Sequence, residues 1–292
     1  MSGALTLRLA SLPAPSDSAP MGEVGLKLRG PVAQAGYSLE ELVAQVTVRS
    51  VEDIRGAAIT IRDYAASRRL RAALCDDIAS KEPMVDADGS VLAAELFGWL
   101  ADGERWWEDH RLALRSPLPR ACRYEGEPFW CNRHGFNTAY PNPYLDDIDL
   151  ARYFDAVPRY SAAIVVPVHL PFAQVSANSF HSMDPGLADL SGVFTEIGST
   201  LAAMTRRFIA GYVSSMRTKR RIPSDCELSK REVECLRWAA IGKTDREIGM
   251  IIDLSHATVR YHVHRAGEKL NAINRAQAIF KAGQLGYLGA SS

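Results

Sequence analysis

Long apolar runs are missing from this chain of 292 residues. Crossing a bilayer as a helix takes about 18 to 20 consecutive apolar side chains, so no membrane span is expected. Cysteine is scarce too. The five present (Cys75, Cys122, Cys131, Cys226, Cys235) are odd in number and irregularly spaced, which speaks against a disulfide framework. The opening residues lack the charged-then-apolar order of an export signal: Leu5-Thr6-Leu7-Arg8-Leu9 is short and runs into Ser11 and Pro13. A reduced, cytoplasmic compartment is the expectation. No Ser-His-Asp pattern or phosphate-binding glycine loop is recognisable, so catalysis has no candidate residue. Cys131-Asn132-Arg133-His134, with His110 and His169 elsewhere, supplies one ligand pair and no second cluster. Neither enzyme chemistry nor a metal nor a cofactor is expected.

Net charge is also missing, with 34 Lys/Arg against 34 Asp/Glu. Its distribution is uneven. From Arg217 to Ser292 there are 14 Lys/Arg against 8 Asp/Glu, a net of +6, and the remainder carries the opposite −6. A basic C-terminal module on an acidic partner is the asymmetry expected when one domain approaches phosphate. The length suits two domains, each with its own core, and 47% apolar content is ordinary for a globular protein.

Residues 1–37 are rich in Ala, Pro, Ser and Gly without a sustained period, and read as a mobile tail. Ser38-Leu39-Glu40-Glu41 opens a helix with Leu42 and Val46 inward. Residues 51–80 read as mostly helical, with Arg62, Arg68, Arg69 and Arg71 on a solvated face. Asp76-Asp77 follows that helical pattern and not a buried strand, so a phosphoacceptor pocket is rejected. Asp86-Ala87-Asp88-Gly89 is a turn that lacks the remaining ligands of a calcium loop. Residues 91–100 and 104–114 read as helices carrying Phe97, Trp99, Trp106, Trp107 and His110. Ser161–Leu170 and Phe172–Phe180 alternate as the two strands of a hairpin with Pro171 near its turn. Leu187–Met216 has apolar residues at helical spacing. Helices flanking an antiparallel sheet predict an α/β/α sandwich over residues 38–216. Arg217-Thr218-Lys219-Arg220-Arg221-Ile222-Pro223 begins a basic linker, 217–227, because proline stops the preceding helix.

Residues 228–292 carry repeated helix-start signals. Ser229-Lys230-Arg231-Glu232 and Thr244-Asp245-Arg246-Glu247 are capping boxes, in which hydroxyl and carboxylate each satisfy an orphan backbone N–H. Asn274-Arg275-Ala276-Gln277 repeats the logic with amides, and Ser255 is an N-cap for a helix running to about Leu270. Val233, Leu236 and Ala240 line one helix; Ile248, Ile251 and Ile252 the next. Val259, Val263, Ala266 and Leu270 line the third, and Ile279, Ala282 and Leu285 the fourth. Only Asp253 and Leu254 separate the second helix from the cap of the third. That is a helix-turn-helix, and its second helix turns His256, Arg260 and His264 outward, with Tyr261 and Arg265 beside them. The whole chain is thus read as α+β, a sandwich followed by an all-α four-helix domain.

The motif Leu228 to Thr244, with Trp238-x-Ala240-x-Gly242-Lys243-Thr244, then Glu247-Ile248, Thr258-Val259, His262, Lys269-Leu270 and Asn274-Arg275, resembles the LuxR-type DNA-binding domain of the quorum-sensing branch. The resemblance implies a cytoplasmic transcription regulator binding double-stranded DNA as a homodimer through its last helix. Arg260 is then the first base-edge contact, with His264 one turn on and His256 on the same face. Lys243, Thr244, Tyr261 and Arg265 are phosphate contacts. The preceding domain resembles, more weakly, an autoinducer-binding domain: Trp106-Trp107, Pro117, Pro128-Phe129-Trp130, Val166-Pro167 through Pro171, and Ser179-Phe180 follow the family order. Trp107, Trp130, Ser116, His110, Trp106 and Phe129 are its ligand-lining candidates. Ser116 stands where the family has an aspartate that accepts a ligand amide proton, the family tyrosine has no certain counterpart, and helical sequence replaces its early strands.

A buried carboxylate contributes roughly 1.5–3 kcal/mol to such a bond, and a hydroxyl about 0.5–1.5 kcal/mol. Weaker binding of acyl-homoserine lactones follows, and the pocket holds such a lactone, another small molecule, or nothing. In the last case the domain is a degenerate protein-interaction scaffold on a ligand-independent regulator. Ser116→Asp is expected to strengthen the response to an acyl-homoserine lactone in a reporter assay; silence in both forms points away from that ligand.

Overall fold

A computed structural model describes residues 37–80, 82–99, 116–156, 159–216 and 227–288. The expected tail up to residue 36, the helix expected over 104–114 and linker residues 217–226, with Cys226, lie outside the described residues. No helix among the described residues is long and apolar enough to cross a membrane.

The first helix, α1 (Leu39–Gln45), begins as its residues demand: Ser38 Oγ accepts the Glu41 N–H and the Glu41 carboxylate accepts the Ser38 N–H. Helix α2 (Asp53–Ala66) buries Ile54, Ala57, Ala58, Ile61 and Ala65 on one stripe. The helical reading of 51–80 ends there. Arg69 takes a left-handed conformation (φ 55°) and the chain turns into strand β1 (Leu70–Ala73). Four residues give too short an alternation to outweigh an alanine- and arginine-rich helical context. Arg71 therefore leaves the solvated helix face assigned to it and enters the sheet. The Asp86–Gly89 turn is present: Asp86 Oδ1 accepts the Asp88 and Ser90 N–H groups, and its other oxygen meets Arg55 at 2.6 Å. The helix expected over 91–100 contracts to one wide π-type turn, Leu92–Leu96, because Gly98 (φ 67°) reverses the chain.

Beyond it come α3 (Pro117–Ala121), β2 (Phe129–Asn132), β3 (Gly135–Asn137), α4 (Leu150–Ala156), β4 (Ala162–Leu170), β5 (Gln174–Ser182) and α5 (Ser191–Met216). The five strands form one antiparallel sheet in the order β1-β5-β4-β2-β3. Strand alternation builds two cores from it. Ala162, Ile164, Val166 and Val168 of β4 join Phe180, Leu70 and the buried stripes of α1, α2 and α5. Ala163 and Val165 face the other way, with Phe129, Cys131 and residues of α3 and α4 such as Leu118 and Phe154. The sheet is covered by helices on both faces, an α/β/α sandwich.

A separate core holds the last four helices, α6 (Lys230–Ala240), α7 (Asp245–Ile252), α8 (His256–Lys269) and α9 (Arg275–Gln284). Cys235, Leu236 and Ala239 of α6 meet Ile248, Val259, Val263, Ala266 and Ala282. Ala240 and Ile251, expected inside, are exposed, since the buried stripe of α6 runs Glu232, Cys235, Leu236, Ala239 at helical spacing. Glu232 is 5% exposed and charged. It accepts the Ser229 N–H at 2.7 Å and the Lys269 ammonium at 2.8 Å, tying the start of α6 to the end of α8. Burial pushes its carboxyl up, but the Lys269 bond and charge and the Ser229 N–H more than reverse this and hold it below its ordinary 4.5.

A carboxyl depressed in the folded state contributes stability that is complete above its unfolded value and is lost as pH falls through the folded one. Acidification below 4.5 is therefore expected to weaken the helical domain. Lys269→Met leaves the carboxylate without its counterion and costs on the order of 1–3 kcal/mol near pH 7. It also removes Glu232's share of the acid sensitivity. Urea midpoints of both forms, at neutral pH and near pH 4, test this; equal acid sensitivity in the two would contradict it.

Candidate nucleic-acid interface

The outward face of α8 depends first on where the helix begins. Ser255 Oγ accepts the Thr258 N–H at 3.1 Å and fixes the first turn. Ahead of it, Asp253 adopts a left-handed conformation (φ 55°, ψ 51°) and the Leu254 N–H returns to the Gly249 carbonyl at 2.9 Å. A Cβ at Gly249 would collide with the Leu254 carbonyl, so only glycine lets the chain double back this sharply. Gly249 was not singled out from the sequence. A glycine inside a helical pattern is its only local signal.

With the turn set, Val259, Val263, Ala266 and Gly267 of α8 are buried, and His256, Arg260, Tyr261, His264 and Arg265 are exposed. Arg260 and His264 are 72% and 71% exposed in their side chains. Tyr261 and Arg265 lie on the flank of this ridge, Arg265 held by Glu268 at 2.8 Å. His264 Nδ1 lies 3.8 Å from the same Glu268. His256, Arg260, Lys243 and Thr244 are brought together along one groove between the α6–α7 turn and α8. Thr244 is the N-cap of α7, and its hydroxyl donates to Glu247 at 2.7 Å while its N–H does so at 2.8 Å. Both of its donors are therefore taken up within the first turn of α7.

Three residues of this groove were missed: Asp245, Arg246 and Arg275 line it as well. Arg275 donates Nη2 to the Lys243 carbonyl at 2.7 Å and Nη1 to Asp245, and Asp245 lies 3.7 Å from Arg260 Nε. Asn274 caps α9 by accepting the Gln277 N–H at 2.8 Å, but Gln277 accepts from Ile273 and not from Asn274. The reciprocal box expected there is thus shifted by one residue. On α9, Ala278 and Ala282 are buried, Ile279 is half-buried and Phe280 is 64% exposed; Leu285 at its C-cap is half-buried, and Ile273, before its N-cap, is 88% exposed.

The ligand-lining candidates are distributed differently. Trp106, Trp107 and His110 lie outside the described residues. Ser116 precedes α3 at its N-cap position, half-buried, with no side-chain bond to the helix. Phe129 is fully buried on the α3/α4 face, edge-on to Phe136. Trp130, its neighbour in β2, packs on the opposite face, against the core of α1, α2 and α5. Consecutive strand residues diverge in this way, so these two do not share a pocket wall. Sequence reading also missed a buried cluster. His181, paired with Arg71 and Ala163 across the sheet, meets Trp99 and Tyr160 ring to ring, at 5.2 and 5.1 Å between centroids. Its Nε2 contacts Ser179 Oγ at 2.9 Å, and its Nδ1 is buried with no hydrogen-bond partner among the described residues. Burial, and then the Arg71 charge, push it down to about 4, so it is neutral at physiological pH.

Comparison with known proteins agrees with this geometry. The family described as GerE, "Bacterial regulatory proteins, luxR family", matches residues 226–282. The transcriptional activator protein PhzR of Pseudomonas fluorescens is 40% identical over 92 residues, 30% of this chain and 38% of PhzR. The transcriptional activator protein VanR of Vibrio anguillarum is 52% identical over 61 residues, 21% of this chain and 25% of VanR. Both matches thus span well under half of those proteins. The HTH-type quorum sensing-dependent transcriptional regulator RpaR of Rhodopseudomonas palustris is 31% identical over 204 residues, 65% of this chain and 73% of RpaR. With a likeness of that extent added to the helix-turn-helix geometry, the chain belongs to the LuxR family of bacterial regulatory proteins.

Proposed function

We propose that this protein is a sequence-specific transcriptional regulator that binds duplex DNA as a homodimer. Residues 228–292 are its DNA-binding domain, 217–227 a basic linker and 38–216 a sensor domain. One observation carries the reading: α8 buries Val259 and Val263 and holds Arg260 and His264 more than 70% exposed on its other side. A helix of that kind, preceded by a tight turn, fits the major groove. Arg260 reads a base edge, guanine being the best match to its paired donors. His264 and His256 approach the groove, and Lys243, Thr244, Tyr261 and Arg265 approach phosphates.

The exposed Phe280 of α9, with exposed Ile273 just before its N-cap, supports the last helix as the dimer surface, since an apolar side chain left in water favours a partner. A dimer of this symmetry requires a pseudo-palindromic site with half-sites about one helical turn apart. The sensor domain responds to a small molecule, an acyl-homoserine lactone or another amphipathic signal, as the quorum-sensing dependence in RpaR's name supports by analogy. A ligand-independent regulator is the second reading. Ser116, in place of a carboxylate, favours it.

Arg260→Ala is expected to lose sequence preference, costing roughly 1–3 kcal/mol at one base pair. Competition binding with single-base-pair operator variants measures this. Discrimination equal to wild type would remove Arg260 from the groove.

A further inference from the structure

Asp245 is out of place on a surface meant for phosphates. It opens α7, lines the groove shared by Lys243, Arg246, His256 and Arg260, and carries the sign that DNA repels. A carboxylate in the first turn suits the helix dipole, which explains an acid there but not its partners. Its two oxygens face guanidinium groups from two other helices. Oδ1 accepts from Arg275 Nη1, and Oδ2 lies 3.7 Å from Arg260 Nε. Arg275 is itself fixed at a second point, donating Nη2 to the Lys243 carbonyl at 2.7 Å. Exposure falls along this series, from 72% at Arg260 to 35% at Arg275 and 19% at Asp245. The carboxylate is thus an anchored group, and Arg260 the movable end.

An arginine side chain left to itself samples many rotamers and meets a phosphate as readily as a base. Engaging Nε from behind leaves the two Nη groups as a forward pair of donors, the geometry that matches guanine O6 and N7. We propose that Asp245, anchored by Arg275, is a positioning residue that orients Arg260 for base reading and so sets sequence preference at the expense of general DNA affinity. This rests on the reading of Arg260 as a groove contact.

The test uses the full chain and duplexes that the wild-type protein selects from a random pool. Asp245→Asn keeps the side chain's shape and removes its charge. Preference at the base pair read by Arg260 is expected to fall about two- to fivefold, the size of an exposed ion pair. Affinity for unselected duplex is expected to rise, because a negative charge has left the groove. In an Arg260→Ala background the same substitution is expected to leave preference unchanged, since the two residues act as one. Should Asp245→Asn lower thermal stability, Asp245→Ser, which still suits a helix start, carries the same comparison. A helix-start role alone would weaken binding to selected and unselected duplexes together and would add independently to Arg260→Ala; that result overturns the proposal. So does intact preference in Asp245→Asn where Arg260→Ala has lost it. Absence of preference in the wild type is a different failure, which sinks the regulator reading beneath.

Discussion

One buried carboxylate gives the helical domain its form. Glu232 closes the first turn of α6 through the Ser229 N–H and neutralises Lys269 at the far end of α8. Burying a charge is costly unless it is paired and hydrogen-bonded, and here one oxygen, Oε2, takes donors from the start of α6 and from the end of α8 at once. The consequence reaches the surface. With the end of α8 held against α6, and its start held by the Gly249 turn, the rotation of α8 about its own axis is determined. Val259 and Val263 go inward, and Arg260 and His264 have no other side to occupy.

In the sandwich the governing constraint is alternation along strands. A sheet covered on both faces leaves no neutral side, so the apolar residues of β2 and β4 divide between one core and the other. Phe129 and Trp130, adjacent in a motif, end up on opposite sides for this reason. The same alternation puts His181 and Arg71 on one face, where Trp99 and Tyr160 enclose them. Phe180, between Ser179 and His181 in the chain, is fully buried in the core of α1, α2 and α5. Motif order thus says less about a pocket wall than parity within a strand does.

Legibility in the sequence followed the range of the physics involved. The helix start at Ser38, the capping boxes at Ser229 and Thr244, and the cap at Ser255 were readable because the groups involved all lie within one turn. The β4–β5 hairpin and the apolar stripe of α5 were readable from their periods. Strand β1 was not, since four residues paired with a strand more than a hundred positions away carry almost no local signature. The π-type turn at Leu92–Leu96 was missed likewise: its wider winding leaves the apolar pattern helical while Gly98 ends it early.

By itself, then, the sequence determined where the last four helices start, which side of α8 carries its cations, and that a hairpin and a long helix belong to one sandwich. These are interactions between neighbours in the chain, and neighbours are what a sequence displays. Tertiary structure alone decided what each charge answers to: Lys269 to Glu232 across 37 positions, and Arg275 to Asp245 across 30. It also decided which side of the sheet Phe129, Trp130 and His181 face. Charges and strand faces find their partners only once the chain has closed on itself, because the energy that selects them comes from excluding water between distant segments.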